Sequence, residues 1–353
     1  MTGMPTLLWW GRCDPQYSRN QIILATLAEL GWRVDFFHPV ASPLGKAQAF
    51  FQRPERPDLV WVPCFRQRDV PGAAYWARKW KCPLVFDPLI SAYQKEVQEK
   101  GKWKEQSARA RQLKKWEAGL FHHADVVIAD TPVHARFYVE TFRIDPRKVS
   151  VVHVGADEGL FHATDVAVDR SNLEVLFYGS FLALQGPGVI IDAAAAMADP
   201  KIRWVLLGDG DLKPVLMAKA RGIPNVSFEP WISYDRLPQR MAQAQILLGI
   251  FGNTPKAAMV IPNKAFQAMA AGRPLITRSC EAYPEQMREN RSIGWVPPGD
   301  SRALVDCVRR WVAEPEGLIE KGRQARRLYE QFFSKDCITM ELKSALAGVT
   351  ASR

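Results

Sequence analysis

Two successive series of short apolar strands, separated by segments of helix length, constrain the fold of this chain more than any other feature. The first series contains TLLWW (6–10), WRVDFF (32–37), DLVWVP (58–63), PLVF (83–86), DVVIA (125–129) and VSVVHV (149–154). The second contains EVLFYG (174–179), IRWVLLG (202–208), VSF (226–228), ILLGIF (246–251), PLIT (274–277) and GWV (294–296). Strands that are apolar on both faces are typical of a parallel sheet covered by helices. We therefore expect an α/β chain with two Rossmann-like doubly wound domains.

The polar stretch ATDVAVDRSN, near residues 163–172, separates the two series. The chain has 353 residues, more than one hydrophobic core usually serves. We predict an N-terminal Rossmann-like domain over residues 1–165, a C-terminal one over 166–330, and a helix over 331–353 that packs back on the first domain. Doubly wound sheets bind ligands beyond the carboxyl ends of their strands, so we expect the site in a cleft between the two domains.

No stretch approaches the roughly 20 uninterrupted apolar residues that span a bilayer, and the start, MTGMPTLLWWGRCDPQ, does not have the pattern of a signal peptide. The six cysteines lie far apart and form no C-x-x-C pair, so the sequence implies neither disulfides nor a zinc site. We expect a cytoplasmic protein without a metal site.

The chain is basic, with 47 Lys and Arg against 37 Asp and Glu and a net charge of +10. This balance favours a polyanionic partner: nucleic acid, anionic lipid or a phosphorylated substrate. Residues 94–118 concentrate the charge around Trp103 and Trp116, which suits the anionic inner face of a membrane, although a solvated basic helix is the alternative. No nucleic-acid-binding module is recognisable, so we expect no nucleic-acid partner.

Four segments of the second half carry a family resemblance: VLFYGSFLALQGPGVIIDAA, RWVLLGDGDL, FEPWISYDRLPQRMAQAQILLGIFG and IPNKAFQAMAAGRPLIT. In this order they resemble the nucleotide-sugar-binding domain of the retaining glycosyltransferases of family 4, which have the two-domain GT-B architecture. In the first half, YSRN, FDPLISAY and VVHVGADEGLF resemble a bacterial branch of that family. The resemblance implies transfer of a sugar, with retention, from a nucleotide-sugar donor to a hydroxyl of a glycan or lipid-linked acceptor, without a metal or other cofactor.

The chain departs from the family pattern at its acidic and basic pairs. Met259 and Gln267 stand where most members have two glutamates, and Ser180 and Gln185 stand where Arg and Lys are frequent. These departures keep two alternatives open. One is a noncatalytic relative that binds a nucleotide-sugar or glycan, and the other is a GT-B sugar-nucleotide epimerase.

The segment IPNKAFQAMAAG supplies the main candidate for contact with the donor diphosphate. Pro262 precedes a short helix, Asn263 can cap it, and Gly272 ends it. Lys264 lies in the first turn, where free backbone N–H groups already favour an anion but disfavour a cation. We therefore predict that Asn263 and Lys264 bind phosphate oxygens and that Lys264 stabilises the departing diphosphate.

The remaining candidates for the donor site follow the strands of the second half. Gln267 can bond the ribose hydroxyls or be a polar residue at the helix edge, and Lys256 can replace the missing basic pair or be a solvated loop lysine. By the resemblance Trp231 borders the base. The other candidates lie in turns that allow close approach of a ligand: Gly179, Ser180, Gln185, Gly186 and Gly208.

In the first half, Gly11 and Arg12 follow the first strand, and Arg19 lies near the start of the first helix. We predict that they serve the acceptor or phosphate side, with Ser18 as a simple helix cap as the alternative. Asp87 ends the PLVF strand, where it can accept the proton of the acceptor hydroxyl or open an ordinary Asp-Pro turn.

Overall fold

The computed structural model describes residues 4–163 and 172–350, which form two compact units. The first unit contains the described residues up to Gly155 together with those from Lys335 onward, and the second contains Ala156–Ser334. The sequence boundary expected at residue 165 lies outside the described residues.

The first unit is built on a six-stranded parallel sheet with the order β2-β1-β3-β4-β5-β6. Its strands are β1 (Thr6–Trp10), β2 (Arg33–Phe37), β3 (Leu59–Val62), β4 (Leu84–Phe86), β5 (Val126–Ala129) and β6 (Val149–Val151). Its first five helices are α1 (Ser18–Glu29), α2 (Gly45–Gln52), α3 (Val70–Trp80), α4 (Ala108–His123) and α5 (Pro132–Phe142). The central strands are buried on both faces, and the rings of Trp9 and Trp61 stack across β1 and β3 at 5.9 Å.

The second unit has a six-stranded parallel sheet with the order β12-β11-β10-β7-β8-β9. Its strands are β7 (Leu173–Ser180), β8 (Ile202–Asp209), β9 (Val226–Glu229), β10 (Ile246–Leu248), β11 (Leu275–Arg278) and β12 (Gly294–Val296). Its helices are α6 (Pro187–Ala196), α7 (Lys213–Lys219), α8 (Leu237–Ala242), α9 (Asn263–Ala270), α10 (Glu285–Arg288), α11 (Ser301–Ala313) and α12 (Gly317–Phe332).

The last helix, α13 (Lys335–Thr350), belongs to the first unit. Ile338, Leu342 and Leu346 are buried in the same core cluster as residues of β1, β3 and α1. Glu341 anchors the helix, because its carboxylate accepts hydrogen bonds from the backbone N–H of His153 at 2.9 Å and pairs with the His153 ring at 2.7 Å.

Each sheet is doubly wound, as the sequence predicts, with the strand order reversing next to its first strand. The reversal falls between β1 and β3 in the first unit and between β7 and β10 in the second. Such a switch point opens a crevice at the carboxyl ends of the strands, where ligands bind. No helix within residues 4–163 or 172–350 combines the length and apolarity needed to cross a bilayer.

Candidate functional site

The loops after β7 and β10 meet at the switch point of the second sheet. The β10 strand ends at Leu248 rather than at the predicted residue 251, and the Phe251 N–H donates to the Gln185 carbonyl at 3.0 Å. Gly186 lies directly against this second loop with φ +64°, and a Cβ at that position would fall 2.4 Å from the Gly252 nitrogen. Only glycine allows both the backbone conformation and the contact between the loops.

Lys264 extends from the start of α9 into this crevice. Its Nζ donates to Gln185 Oε1 at 3.0 Å and lies 3.6 Å from the centre of the Phe177 ring. The residue is only 5% exposed, and in the described part of the chain no carboxylate pairs with its ammonium. Burial in these surroundings lowers the pKa of Lys264 well below its ordinary value.

The start of α9 differs from the sequence prediction in one respect. Pro262 occupies the N-cap position and Asn263 is the first helical residue, so Asn263 does not cap the helix through its side chain. Proline provides no capping side chain, and the Ala265 N–H donates to the Pro262 carbonyl at 2.8 Å. The N–H groups of Asn263 and Lys264 come too early in the helix to have a partner within it. The helix start is therefore a set of backbone donors beside the buried Lys264.

Gly179 explains how the lysine fits against β7. With φ +143°, a Cβ on Gly179 would lie 3.0 Å from both Lys264 Nζ and Gln185 Oε1. Gly208 stands opposite Gly179 in the β7–β8 register, followed by Ser180 opposite Asp209. Of the predicted glycines, Gly179 therefore borders the lysine and Gln185, whereas Gly208 lies against Gly179.

Gln267 lies one turn along α9 and is held between two tyrosines. Its Oε1 accepts from the Tyr178 hydroxyl at 3.1 Å, and its Nε2 lies 3.4 Å from the Tyr234 hydroxyl. Tyr178 also donates to the Lys264 carbonyl at 3.2 Å, and burial raises its pKa well above the ordinary value. The sequence pattern did not predict that these two tyrosines contact Gln267.

The other predicted donor residues differ in exposure. Lys256 is buried at the start of a short 3₁₀ segment, Lys256–Ala258, and Met259 follows it half-buried. Trp231 is 62% exposed after β9. An exposed tryptophan at a loop can cover a planar ligand, but no contact of the described residues fixes its position.

Arg278 is a further cation of this crevice that the sequence reasoning missed. It is the last residue of β11 and is 5% exposed. Its side chain donates to the carbonyl of Gly252, the residue that lies against Gly186. Burial lowers the pKa of Arg278, and its Nε has no partner among the described residues. The available signal was an arginine directly after the apolar strand PLIT, at the carboxyl end of the sheet.

In the first unit, Arg19 and Asp87 bind each other. Arg19 Nε donates to Asp87 at 2.8 Å, and one terminal nitrogen donates to the carbonyls of Val152 and His153 at 2.8 and 2.9 Å. The side chains are 0% and 3% exposed. This corrects two expectations: Arg19 does not extend toward a phosphate, and Asp87 does not offer a free carboxylate to an acceptor hydroxyl. Together they join α1, β4 and the residues after β6.

The other predicted residues of this unit, Gly11 and Arg12, lie in the loop after β1. Gly11 contacts Arg66 in the loop after β3, whereas Arg12 is exposed. Tyr17 holds the N-cap position of α1, so the alternative of Ser18 as the cap is wrong. Arg12 is therefore the one predicted cation of this unit whose side chain is open to a ligand.

Two solved structures share the fold of nearly the whole chain. Anabaena HepE in complex with UDP matches with a TM-score of 0.73 at 16% identity, covering 98% of this chain and 100% of that one. Sucrose-phosphate synthase from Thermosynechococcus elongatus matches with the same TM-score of 0.73 at 16% identity, covering 99% and 100%.

Sequence profiles match each unit separately. The profile described as "Glycosyl transferase 4-like domain" matches residues 15–155, and the one described as "Glycosyl transferases group 1" matches residues 172–314. The chain belongs to the GT-B glycosyltransferases. The predicted GT-B architecture is confirmed, and the two profiles support the predicted glycosyltransferase family.

The curated relatives of this glycosyltransferase include enzymes named D-inositol 3-phosphate glycosyltransferase. The protein from Nocardioides sp. is 28% identical over 281 residues, which cover 69% of this chain and 59% of that protein. The one from Streptomyces scabiei is 27% identical over 238 residues, covering 61% and 52%. The matched part thus spans between half and three fifths of the length of these two relatives.

The basic segment 94–118 exposes most of its cationic side chains. It contains a π-helical turn, Gln94–Glu99, and most of α4. Glu117 is buried and accepts from Ser91 Oγ and the N–H groups of residues 92 and 93, at 2.6 to 2.8 Å. Burial raises the pKa of this carboxyl group.

Within residues 4–163 and 172–350, no three His, Cys, Asp or Glu side chains cluster as a metal site would require.

Proposed function

We propose that this glycosyltransferase moves a sugar from a nucleoside-diphosphate donor to a hydroxyl of a glycan or lipid-linked acceptor, with retention of the anomeric configuration. The observation that carries the proposal is the buried Lys264, without a carboxylate partner, at the start of α9 and at the switch point of the second sheet.

The leaving nucleoside diphosphate gains negative charge as the glycosidic bond breaks, and a preorganised cation lowers the energy of that state. Lys264 meets this requirement, because its ammonium is desolvated before the donor arrives and gains a charged partner on binding. The N–H groups of the first turn of α9 add donors for the same phosphate oxygens. Lys256 is the second candidate cation for the diphosphate.

We propose a set of contacts for each part of the donor around Lys264. We place the phosphates against Asn263, Lys264 and the loop of Gly179 to Gly186, and the base beside Trp231. Gln267 meets the ribose hydroxyls by giving up its long, 3.4 Å contact with Tyr234. Its neutral amide makes weaker hydrogen bonds than the glutamate of other family members would.

The donor that we propose to test first is UDP-linked, because HepE is described in complex with UDP and with UDP-glucose. The names of the curated relatives suggest an acceptor that carries a phosphate.

Retention requires that the new bond forms on the face from which the diphosphate leaves. In the proposed step the bond between the sugar C1 and the phosphate oxygen breaks, and the acceptor oxygen bonds to C1. The acceptor proton passes to the departing phosphate oxygen. The protein positions and neutralises, so the step needs neither a carboxylate nucleophile nor the two absent glutamates.

We further propose that the basic surface of residues 94–118 contacts anionic lipid, which would bring a lipid-linked acceptor to the enzyme. The six lysines and two arginines of this segment support the electrostatic part.

A noncatalytic relative that binds the donor is the second candidate. The specific observation in its favour is the presence of Met259 and Gln267 in place of two carboxylates. Such a protein would bind the nucleotide-sugar but neither transfer nor hydrolyse it.

A donor panel followed by a transfer assay tests the proposal. Thermal unfolding with UDP, GDP, ADP and their common sugar conjugates identifies the nucleotide, since a ligand at one hundredfold its Kd stabilises by about 2.7 kcal/mol. Transfer is then measured with acceptor extracts, and the anomeric coupling of the product by NMR reports retention. Binding without turnover over a broad acceptor panel would select the noncatalytic alternative, and conversion of the donor without an acceptor would indicate an epimerase.

A further inference from the structure

A groove in the first unit is lined by cationic side chains and, among residues 4–163 and 172–350, by no carboxylate. Its volume is about 770 Å³, and it lies between the residues after β2, the residues after β3, and the basic segment with α4. Lys46, Arg68 and Arg109 line it together with Trp103 and Trp116. A second cavity of about 500 Å³ shares Arg68 and both tryptophans with the first and adjoins it. Glu96 lines this second cavity, where Lys100 and Lys102 pair with its carboxylate.

The arginines of the groove differ from the cations around them. Arg66 pairs with Asp69 at 2.6 Å, and Lys102 with Glu96 at 3.4 Å. Arg68 and Arg109 are exposed, and across residues 4–163 and 172–350 neither has an ion-pair partner. A guanidinium binds a phosphate through two parallel N–H donors, so two unpaired arginines on one groove match a phosphate group.

The groove is also larger and more apolar than an inorganic ion requires. Trp103 is half-buried, Trp116 is 38% exposed, and Leu113 and Pro71 complete an apolar wall. Aromatic faces pack against the apolar faces of sugar rings and against isoprenoid chains. The combination matches one molecule that has a phosphate at one end and a sugar or hydrocarbon part beside it.

We infer that this groove binds a phosphate ester as the acceptor or as its anchoring part. Arg68 and Arg109 hold the phosphate, and Trp103 and Trp116 pack against the group that it esterifies. The inference rests on the proposed function, since the hydroxyl that receives the sugar would belong to the bound ester. It assigns Trp103 and Trp116 to a binding groove, whereas the sequence suggested a membrane contact.

Two matched pairs of probes test the groove and separate the sources of the phosphate. Binding to the full-length protein is measured by calorimetry for glucose 1-phosphate against glucose, and for citronellyl phosphate against citronellol. We expect the phosphorylated member of at least one pair to bind more than tenfold tighter. Preference within the first pair indicates a water-soluble sugar phosphate, and preference within the second indicates a lipid-linked phosphate.

The variant Arg68→Gln/Arg109→Gln should reduce that preference at least tenfold, whereas Arg111→Gln should change it less than twofold. Arg111 is the matched control, because it is exposed on the same helix but does not line the groove. Equal binding within both pairs, no binding, or an equal loss in the Arg111 variant would overturn the inference.

Thermal shifts with UDP and the other nucleotides in the same proteins separate this result from the proposed function. A nucleotide shift in the wild type without a phosphate preference would refute the groove alone. A phosphate preference without any nucleotide shift would refute the donor assignment while leaving the groove as a phosphate-ester site.

Discussion

Replacement of Lys264 by methionine separates a ligand-binding lysine from a structural one, because the two roles change stability in opposite directions. Methionine has a similar length and keeps an apolar contact with the Phe177 ring, from which Lys264 Nζ lies 3.6 Å. It removes a buried ammonium whose one hydrogen-bond partner among the described residues is the neutral Gln185 amide. We expect the unliganded variant to be as stable as the wild type or up to about 1 kcal/mol more stable at neutral pH.

Nucleotide binding should weaken by the value of a charged hydrogen bond, about 1.5–3 kcal/mol, which corresponds to about 10- to 150-fold in Kd. At about one hundredfold the wild-type Kd, the nucleotide stabilises the wild type by about 2.7 kcal/mol, and a variant with a hundredfold weaker Kd by only about 0.4 kcal/mol. Urea unfolding with and without nucleotide measures both quantities. Lys219→Met is the control, because Lys219 is an exposed lysine of the same unit that pairs with Asp192.

The pH dependence gives the same test a second readout. Burial lowers the pKa of Lys264 in the folded state, so between that pKa and the ordinary value of about 10.4 the unfolded chain binds more protons. The free energy of unfolding should therefore rise with pH across this window in the wild type and rise less in the methionine variant. Binding of a diphosphate raises the lysine pKa again, so calorimetry in buffers of different ionisation enthalpy should detect proton uptake in that window. A variant that loses more than about 2 kcal/mol of stability and keeps its nucleotide shift would refute this account of Lys264.

Four further outcomes are expected. Gly179→Ala should destabilise the second unit by about 1–3 kcal/mol and weaken nucleotide binding, since the new Cβ would lie 3.0 Å from Lys264 Nζ; urea unfolding with and without nucleotide measures both. Asp87→Asn should cost about 3–5 kcal/mol by leaving the buried Arg19 charge uncompensated, and the double variant with Arg19→Met should recover much of the loss in the same denaturation assay. Leu342→Ala should cost about 2–5 kcal/mol, because this fully buried side chain joins α13 to the first core; a midpoint within error of the wild type would contradict that packing. If residues 94–118 contact lipid, the protein should sediment with anionic but not with neutral vesicles, and salt should weaken the binding; equal sedimentation with both would exclude an electrostatic contact.

The sequence was sufficient for the sheets, because strands buried on both faces leave a continuous apolar pattern. All six predicted strands of each series appear in the structure, with ends within three residues of the prediction. The start of α9 and the glycines beside it were also predictable, since proline and glycine restrict the backbone locally. The position of Lys264 near that start followed from the same local pattern.

Side-chain pairs between segments far apart in the chain could not be predicted from the sequence. Arg19 and Asp87 are 68 residues apart, and each separately resembled a site residue, because Arg19 lies at the start of a helix and Asp87 directly follows a strand. Only the fold shows that they neutralise each other. The same holds for Gln267, whose contacts with Tyr178 and Tyr234 depend on three elements of the second unit. Polar residues at a sheet edge are therefore ambiguous until their partners are known.

The family resemblance implies that Met259 and Gln267 stand in place of two glutamates, and we interpret this difference together with the buried lysine. A glutamate at position 267 would stand one helical turn from Lys264, where side chains on a helix approach to about 5–6 Å. At an effective dielectric constant of about 20, opposite charges at that distance attract by about 3 kcal/mol, enough to hold the lysine charged and partly neutralised before any ligand binds. With glutamine at 267 and methionine at 259, neither position supplies a carboxylate to compete with a phosphate for the ammonium. Glutamine at position 267 also accepts hydrogen bonds from the ribose hydroxyls less strongly than a glutamate would. We therefore expect the protein to bind the diphosphate more tightly and the ribose less tightly than a protein with glutamate at this position. A protein built in this way should distinguish nucleoside diphosphates from nucleosides more sharply than it distinguishes ribose from deoxyribose.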